Sequence, residues 1–329
     1  MIGRIDESVT ATALGVIENA TQVIDGAQDF FAEAANSFEQ GSLNPASGLN
    51  EGYASRSGIL NACGCRSRQE IQDAQLFAAT RAMREGDAPP DRVYDGHFVG
   101  ANGATYPATT PLNQVPTIEP QNGRTSNETL IYINGINTPR DSQFSSLQQI
   151  ANRTGSPVIG IHNATQGGLL DVIQSAGDTL DIGRNPAVDT LADTVYDEIK
   201  AGRGVHLMAH SQGALITSRA LQDVRNRLRI EDGLSRAETD RLLSNVRVET
   251  FGGAAGSYPD GPEYVHYVNR NDPVSTLFGL GPFSNPFVRP GKGAVVHRFS
   301  ESDNAHGFNE TYLPRRVPFE QARRRDFSR

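Results

Sequence analysis

The sequence is poor in cysteine, in lysine and in long apolar runs, and each shortage excludes a class of protein. Two cysteines, Cys63 and Cys65, in 329 residues make no disulfide framework, and two thiolates alone are too few for a structural zinc site. No apolar stretch reaches the roughly 18 residues needed to cross a bilayer. The opening segment MIGRIDESVT has neither the basic stretch nor the continuous apolar core of a secretory signal, so synthesis in the cytoplasm without a cleaved leader is expected. Only Lys200 and Lys292 are lysines among the 30 basic residues, a skew that a GC-rich genome explains better than selection for bidentate chemistry. The formal net charge is −8. It argues against nucleic acid as a partner, because phosphate neutralisation needs a basic face. What the chain does have is 37% hydrophobic residues, enough for a substantial core and against wholesale disorder.

The length allows one large domain or two ordinary ones. Residues 9–40 carry a seven-residue repeat, with Val9, Val16, Val23 and Phe30 in one column and Ile17, Ile24, Phe31 and Phe38 in the next. That stripe fits an amphipathic helix or helical pair, packed on its own domain or offered to a protein partner or a second copy. Cys63-Gly64-Cys65 follows in a Gly, Asn and Ser-rich stretch, and incidental thiols are its simplest reading. A short helix is expected over Arg68–Glu85. Gly86–Asn127 is dense in proline and reads as a connector or wrapping arm. The natural division is therefore a helical and Pro/Gly-rich extension over residues 1–125 and a catalytic domain over 126–329. After Thr129 the texture changes. Short apolar runs at Leu130–Ile133, Pro157–Ile161, Val205–Met208, Val246–Phe251, Tyr264–Val268 and Ala294–Phe299 are separated by segments of helical spacing. Strands alternating with helices predict an α/β fold, a mostly parallel sheet covered on both faces.

The segment Val205-His206-Leu207-Met208-Ala209-His210-Ser211-Gln212-Gly213-Ala214 runs from a buried strand through a sharp turn into a helix. A serine on such a turn has the setting of a nucleophile elbow, where residues two before and two after must be small. Ala209 and Gly213 meet that condition. Serine is a poor nucleophile at neutral pH and needs a general base held by an acid, both of which follow it in the chain in this arrangement. His266 and His297 lie inside strands; His306 stands in a loop after the last strand and is the candidate base. Asp272 directly follows a strand and is the candidate acid, with Asp260 and Asp303 as competitors. Two backbone donors are needed for an oxyanion. Gln212 opens the helix, where the dipole also favours negative charge, and Ile136 follows Asn134-Gly135 at the end of the first long strand.

Residues 129–312 resemble an α/β-hydrolase of the lipase/esterase type. INGINTP stands where that family places its oxyanion loop, AHSQGA is similar to its elbow, and NRNDPVS and NAHGFNETY resemble its acid and histidine loops. The resemblance implies an esterase acting through an acyl-enzyme on Ser211, with His306 and Asp272 completing a triad and neither cofactor nor metal required. The motifs also resemble bacterial lipases delivered by type VI-like secretion without a signal peptide, which implies lipid degradation by an exported effector.

Substrate class is less legible. Residues 162–183 and 275–290 hold apolar side chains suited to an acyl pocket or lid, Leu277, Phe278 and Phe283 foremost in the second. Lipid or phospholipid acyl esters are the expected substrates, with core packing the competing use of those residues. Residues 315–329 hold six arginines against Glu320 and Asp326. A solvated terminus is the simpler reading of this tail, and contact with an anionic membrane surface the sharper one. The same triad also serves peptidases and thioesterases, and an interaction protein working through its first helix is the reading without catalysis.

Overall fold

The structure is a computed structural model that describes residues 90–165, 185–281 and 288–328. The stripe over 9–40, the two cysteines, the helix over 68–85, most of 162–183 and Phe283 lie outside the described residues. The described residues belong to one compact unit that begins at Asp87.

Eight strands make one sheet in the order β2-β1-β4-β3-β5-β6-β7-β8. They are β1 Phe98–Val99, β2 Thr105–Tyr106, β3 Leu130–Ile133, β4 Val158–Ile161, β5 Val205–His210, β6 Val246–Phe251, β7 Glu263–Asn269 and β8 Val295–Phe299. From β4 to β8 all neighbours are parallel, while β1 runs antiparallel to both β4 and β2. All six strands expected from apolar runs are present. The first two are additions, and they change the expected division of the chain. Phe98–Val99 pair with β4, Thr105–Tyr106 pair with β1 and Ile118 bridges Val158, so the part of the extension between residues 98 and 118 contributes the edge of the sheet itself. Two-residue strands among prolines and glycines are too short to show periodicity.

Helices α1 Arg140–Thr154, α2 Pro186–Lys200, α3 Gln212–Ile230, α4 Arg236–Leu243, α5 Pro273–Leu277 and α6 Phe319–Arg323 complete the layers. Alternation along β3 decides which layer each face meets. Ile131 and Ile133 pack with Leu191 and Val195 of α2 and with Leu221 and Val224 of α3. Leu130 and Tyr132 face the opposite way, against Leu147 and Ile150 of α1 and the carboxyl-terminal Tyr312 and Phe319. Because both faces are covered, β3 is buried at every position, which is why its sequence reads as an unbroken apolar run. Asn185 caps α2 by accepting from Ala187 and Val188, with Pro186 in its first turn, a pairing that favours a helix start. Helix α4 was not anticipated, although Ser235 and Glu238 form a capping box at its start.

The arginine-rich tail is solvated only in part: Arg324 and Arg325 are exposed, whereas Arg316 is not. Arg316 reaches under the sheet, with 10% of its side chain exposed, to within 2.8 Å of the fully buried Glu249 of β6. Glu249 Oε1 also lies 2.9 Å from His206 Nε2, and Glu128 Oε2 is 3.1 Å from His206 Nδ1. Burial opposes the imidazolium, but Glu128 and Glu249 on its two sides outweigh that effect and hold His206 above the usual histidine range. The tail is thus tied to the core by a buried ion pair.

Candidate functional site

The carboxyl-terminal ends of β3, β5 and β7 bring the candidate residues together. Ser211 stands between β5 and α3 at φ 56° and ψ −124°, a backbone region that costs a non-glycine residue about 1–3 kcal/mol. Surrounding bonds enforce it: its N–H donates to Phe251 O at 3.1 Å, and its carbonyl accepts from Ala214 and Ala254. The small neighbours have a visible reason. A Cβ on Gly213 would come within 2.4 Å of Ile133 O, and Ala209 is fully buried.

Asp272 is fully buried as the N-cap of α5, its Oδ1 accepting from Val274 N at 2.9 Å. Its Oδ2 is 2.9 Å from His306 Nδ1, and His306 Nε2 is 2.9 Å from Ser211 Oγ. The imidazole is 32% exposed against 0% for the carboxylate and 2% for Ser211, so of the three residues the histidine alone has an exposed edge. A Cβ on Gly252 (φ 54°) would meet Asp272 Oδ2 at 2.6 Å, and this glycine leaves room for the acid. The loop bearing His306 is held from two sides. Asn269 Nδ2 donates to Glu301 O and Ala305 O at 2.8 and 2.9 Å, and His210 Nε2 donates to His306 O at 2.9 Å. Burial first, and the adjacent His306 second, push His210 well below the usual range, leaving it neutral with its proton on Nε2.

On the other side, Gly135 lies against the serine, where a Cβ would be 2.9 Å from Ser211 Cβ and 3.4 Å from Ser211 Oγ. The turn is fixed by paired asparagines. Asn134 Oδ1 accepts from Asn163 N at 2.9 Å, Asn134 Nδ2 donates to Asn163 O at 2.8 Å, and Asn163 Nδ2 donates to Gln212 Oε1 at 2.7 Å. Gln212 is the first residue of α3, where backbone N–H groups have no partner within the helix. Ile136 follows Gly135 and is half-buried.

Such a sheet order, with a strained serine on the turn leaving β5 and the acid and histidine on loops after β7 and β8, decides the architecture. This is the α/β-hydrolase fold. No protein-family profile and no curated protein sequence matches the chain. Among solved structures it is similar to a dienelactone hydrolase-like promiscuous phosphotriesterase from metagenomic libraries, at 11% identity over 54% of this chain and 71% of that one, with a TM-score of 0.30. It is also similar to TT1662 from Thermus thermophilus, at 14% identity over 56% of this chain and 84% of that one, with a TM-score of 0.29.

Within this fold the competing residues lie elsewhere. His266 is fully buried in β7, between Thr250 Oγ1 at 2.8 Å and Pro290 O at 2.9 Å. His297 stacks on Phe327 at 3.8 Å between ring centroids. Asp260 accepts from Lys292 N and faces Arg236. Of the proposed acyl-binding residues, Leu277 ends α5 and Phe278 is its half-buried C-cap. Leu280, read as part of the same apolar segment, is instead a core residue packed with the α2 and α3 face. Four further site residues, Asn163, His210, Asn269 and Tyr312, were not singled out from sequence. His210 adjoins the serine and was open to inspection. Asn163 and Tyr312 act on partners 49 and 40 residues away, which no local pattern reports.

Proposed function

We propose that this protein is a serine hydrolase that cleaves carboxylic esters. The observation that carries the reading is the unbroken pair of 2.9 Å contacts from Ser211 through His306 to the buried Asp272. In the proposed reaction His306 Nε2 takes the Ser211 proton as Oγ attacks the ester carbonyl, and Asp272 holds the imidazole with its other proton on Nδ1. The N–H groups of Gln212 and Ile136 receive the developing oxyanion. His306 returns its proton to the departing alcohol, leaving an acyl-serine. Water, deprotonated by His306, then releases the acid and restores Ser211.

Lipid or phospholipid acyl esters are the proposed substrate class, supported by the apolar sequence after Asp272 and the half-exposed position of Phe278. Labelling with a fluorophosphonate tests the chemistry: wild type is expected to react and Ser211→Ala not, and equal labelling defeats the proposal. A series of esters of rising chain length, with a phospholipid beside it, tests the substrate class. A steep preference for the shortest chains rejects the lipid reading.

A further inference from the structure

Asp272 Oδ2 serves two donors. Beside His306 Nδ1 at 2.9 Å stands the Tyr312 hydroxyl at 2.5 Å. Tyr312 ends the short helical turn Phe308–Tyr312 and is fully buried, edge-on to Phe299 at 5.4 Å. Its oxygen also accepts from Asn269 N at 3.2 Å, which aims the hydroxyl hydrogen at the carboxylate. Burial and the facing Asp272 charge keep the phenol protonated throughout the working range. Tyr312 is therefore a permanent donor to the oxygen that holds the histidine. The other titratable groups facing this pair are His306 itself and the neutral His210, whose ring centroid is 4.7 Å from that of His306 and 6.2 Å from that of Tyr312.

We infer that Tyr312 is a positioning residue that sets the basicity of His306 through Asp272. A second donor on Oδ2 spreads the carboxylate charge and weakens its pull on the imidazolium, so the dyad binds its proton less tightly. The same bond holds Oδ2 at its 2.9 Å approach to Nδ1. This inference builds on the proposed roles of Ser211, His306 and Asp272, but the proton affinity of the dyad exists whether or not an ester is cleaved.

The test is the titration of His306 followed by NMR of the imidazole ring in the full chain, with the pH dependence of fluorophosphonate labelling measured beside it. Tyr312→Phe keeps the ring and removes only the donor. A hydrogen bond to a charged group is strong enough that its loss is expected to raise the titration midpoint, and the acid limb of labelling, by about one pH unit. Replacing the Tyr312 side chain with 3-fluorotyrosine, a stronger donor of nearly equal size, is expected to move both the opposite way. It supplies the answer if the phenylalanine variant does not fold. Midpoints unchanged from wild type in a folded variant overturn the inference. Failure of the hydrolase reading has a different signature: labelling that ignores Ser211→Ala, whatever the His306 titration does.

Discussion

Asn163 Nδ2 donates to Gln212 Oε1 across 2.7 Å, joining the end of β4 to the first residue of α3. The Asn163 backbone also pairs with the Asn134 side chain and Asn163 Nδ2 lies 3.5 Å from Asn134 O, so one buried residue ties together the two segments that carry the proposed oxyanion donors, and its side chain alone makes the link to Gln212. Asn163→Ala is expected to leave the fold intact and lower kcat by about tenfold to a hundredfold with little change in KM, because donors aimed at developing charge matter most in the transition state. Steady-state kinetics on a short ester check this. A change confined to KM would mean that Asn163 shapes substrate binding instead.

Gly135 is placed where a single methyl group reaches the nucleophile. Gly135→Ala puts a Cβ 2.9 Å from Ser211 Cβ, closer than real Cβ atoms approach, so serine or loop must move. The rate of fluorophosphonate labelling is expected to fall at least tenfold while the unfolding midpoint changes little, since misplacement near 1 Å is expensive for a reacting atom. Labelling at the wild-type rate would show that this loop yields freely.

The pair Glu249–Arg316 anchors the carboxyl-terminal segment under the sheet. Arg316→Met leaves a carboxylate fully buried without its guanidinium, at a cost of about 3–5 kcal/mol. Urea unfolding is the measurement. A variant as stable as wild type would show that water or His206 neutralises Glu249 on its own.

His206 makes stability depend on pH in a stated direction. Its folded proton affinity is raised by Glu128 and Glu249, so its contribution is complete below the unfolded value of about 6.5 and lost as pH rises through the higher folded value. His162 and His266, both pushed down to about 4 by burial, act oppositely and cost stability as pH falls from about 6.5 towards 4. Comparing His206→Gln with wild type isolates the first effect: the fall in unfolding free energy above neutral pH is expected to flatten in the variant. Parallel curves would contradict the assignment.

The sequence carried the sheet's buried strands, the elbow and the order of serine, acid and histidine because these are local features. Apolar runs mark strands that are covered on both faces, and small residues at positions 209 and 213 follow from the strained turn between them. His306 was chosen over His266 and His297 by its loop position, and the three histidines do sit in those different settings. The same local reasoning missed the ion pair that Arg316 makes in the carboxyl-terminal segment. Charge density there says nothing of Glu249, which lies 67 residues before Arg316.

What the amino-acid order determined by itself was the six longer strands, β3 to β8, and which residue types stand at their ends. Tertiary structure alone decided that β1 and β2 extend the sheet, that Arg316 is buried, and that Asn163 and Tyr312 reach Gln212 and Asp272. The reason is physical. Periodicity and turn chemistry are set by neighbours a few residues apart, whereas a buried hydrogen bond between distant segments forms only after packing has brought them together and removed the water that otherwise satisfies each group.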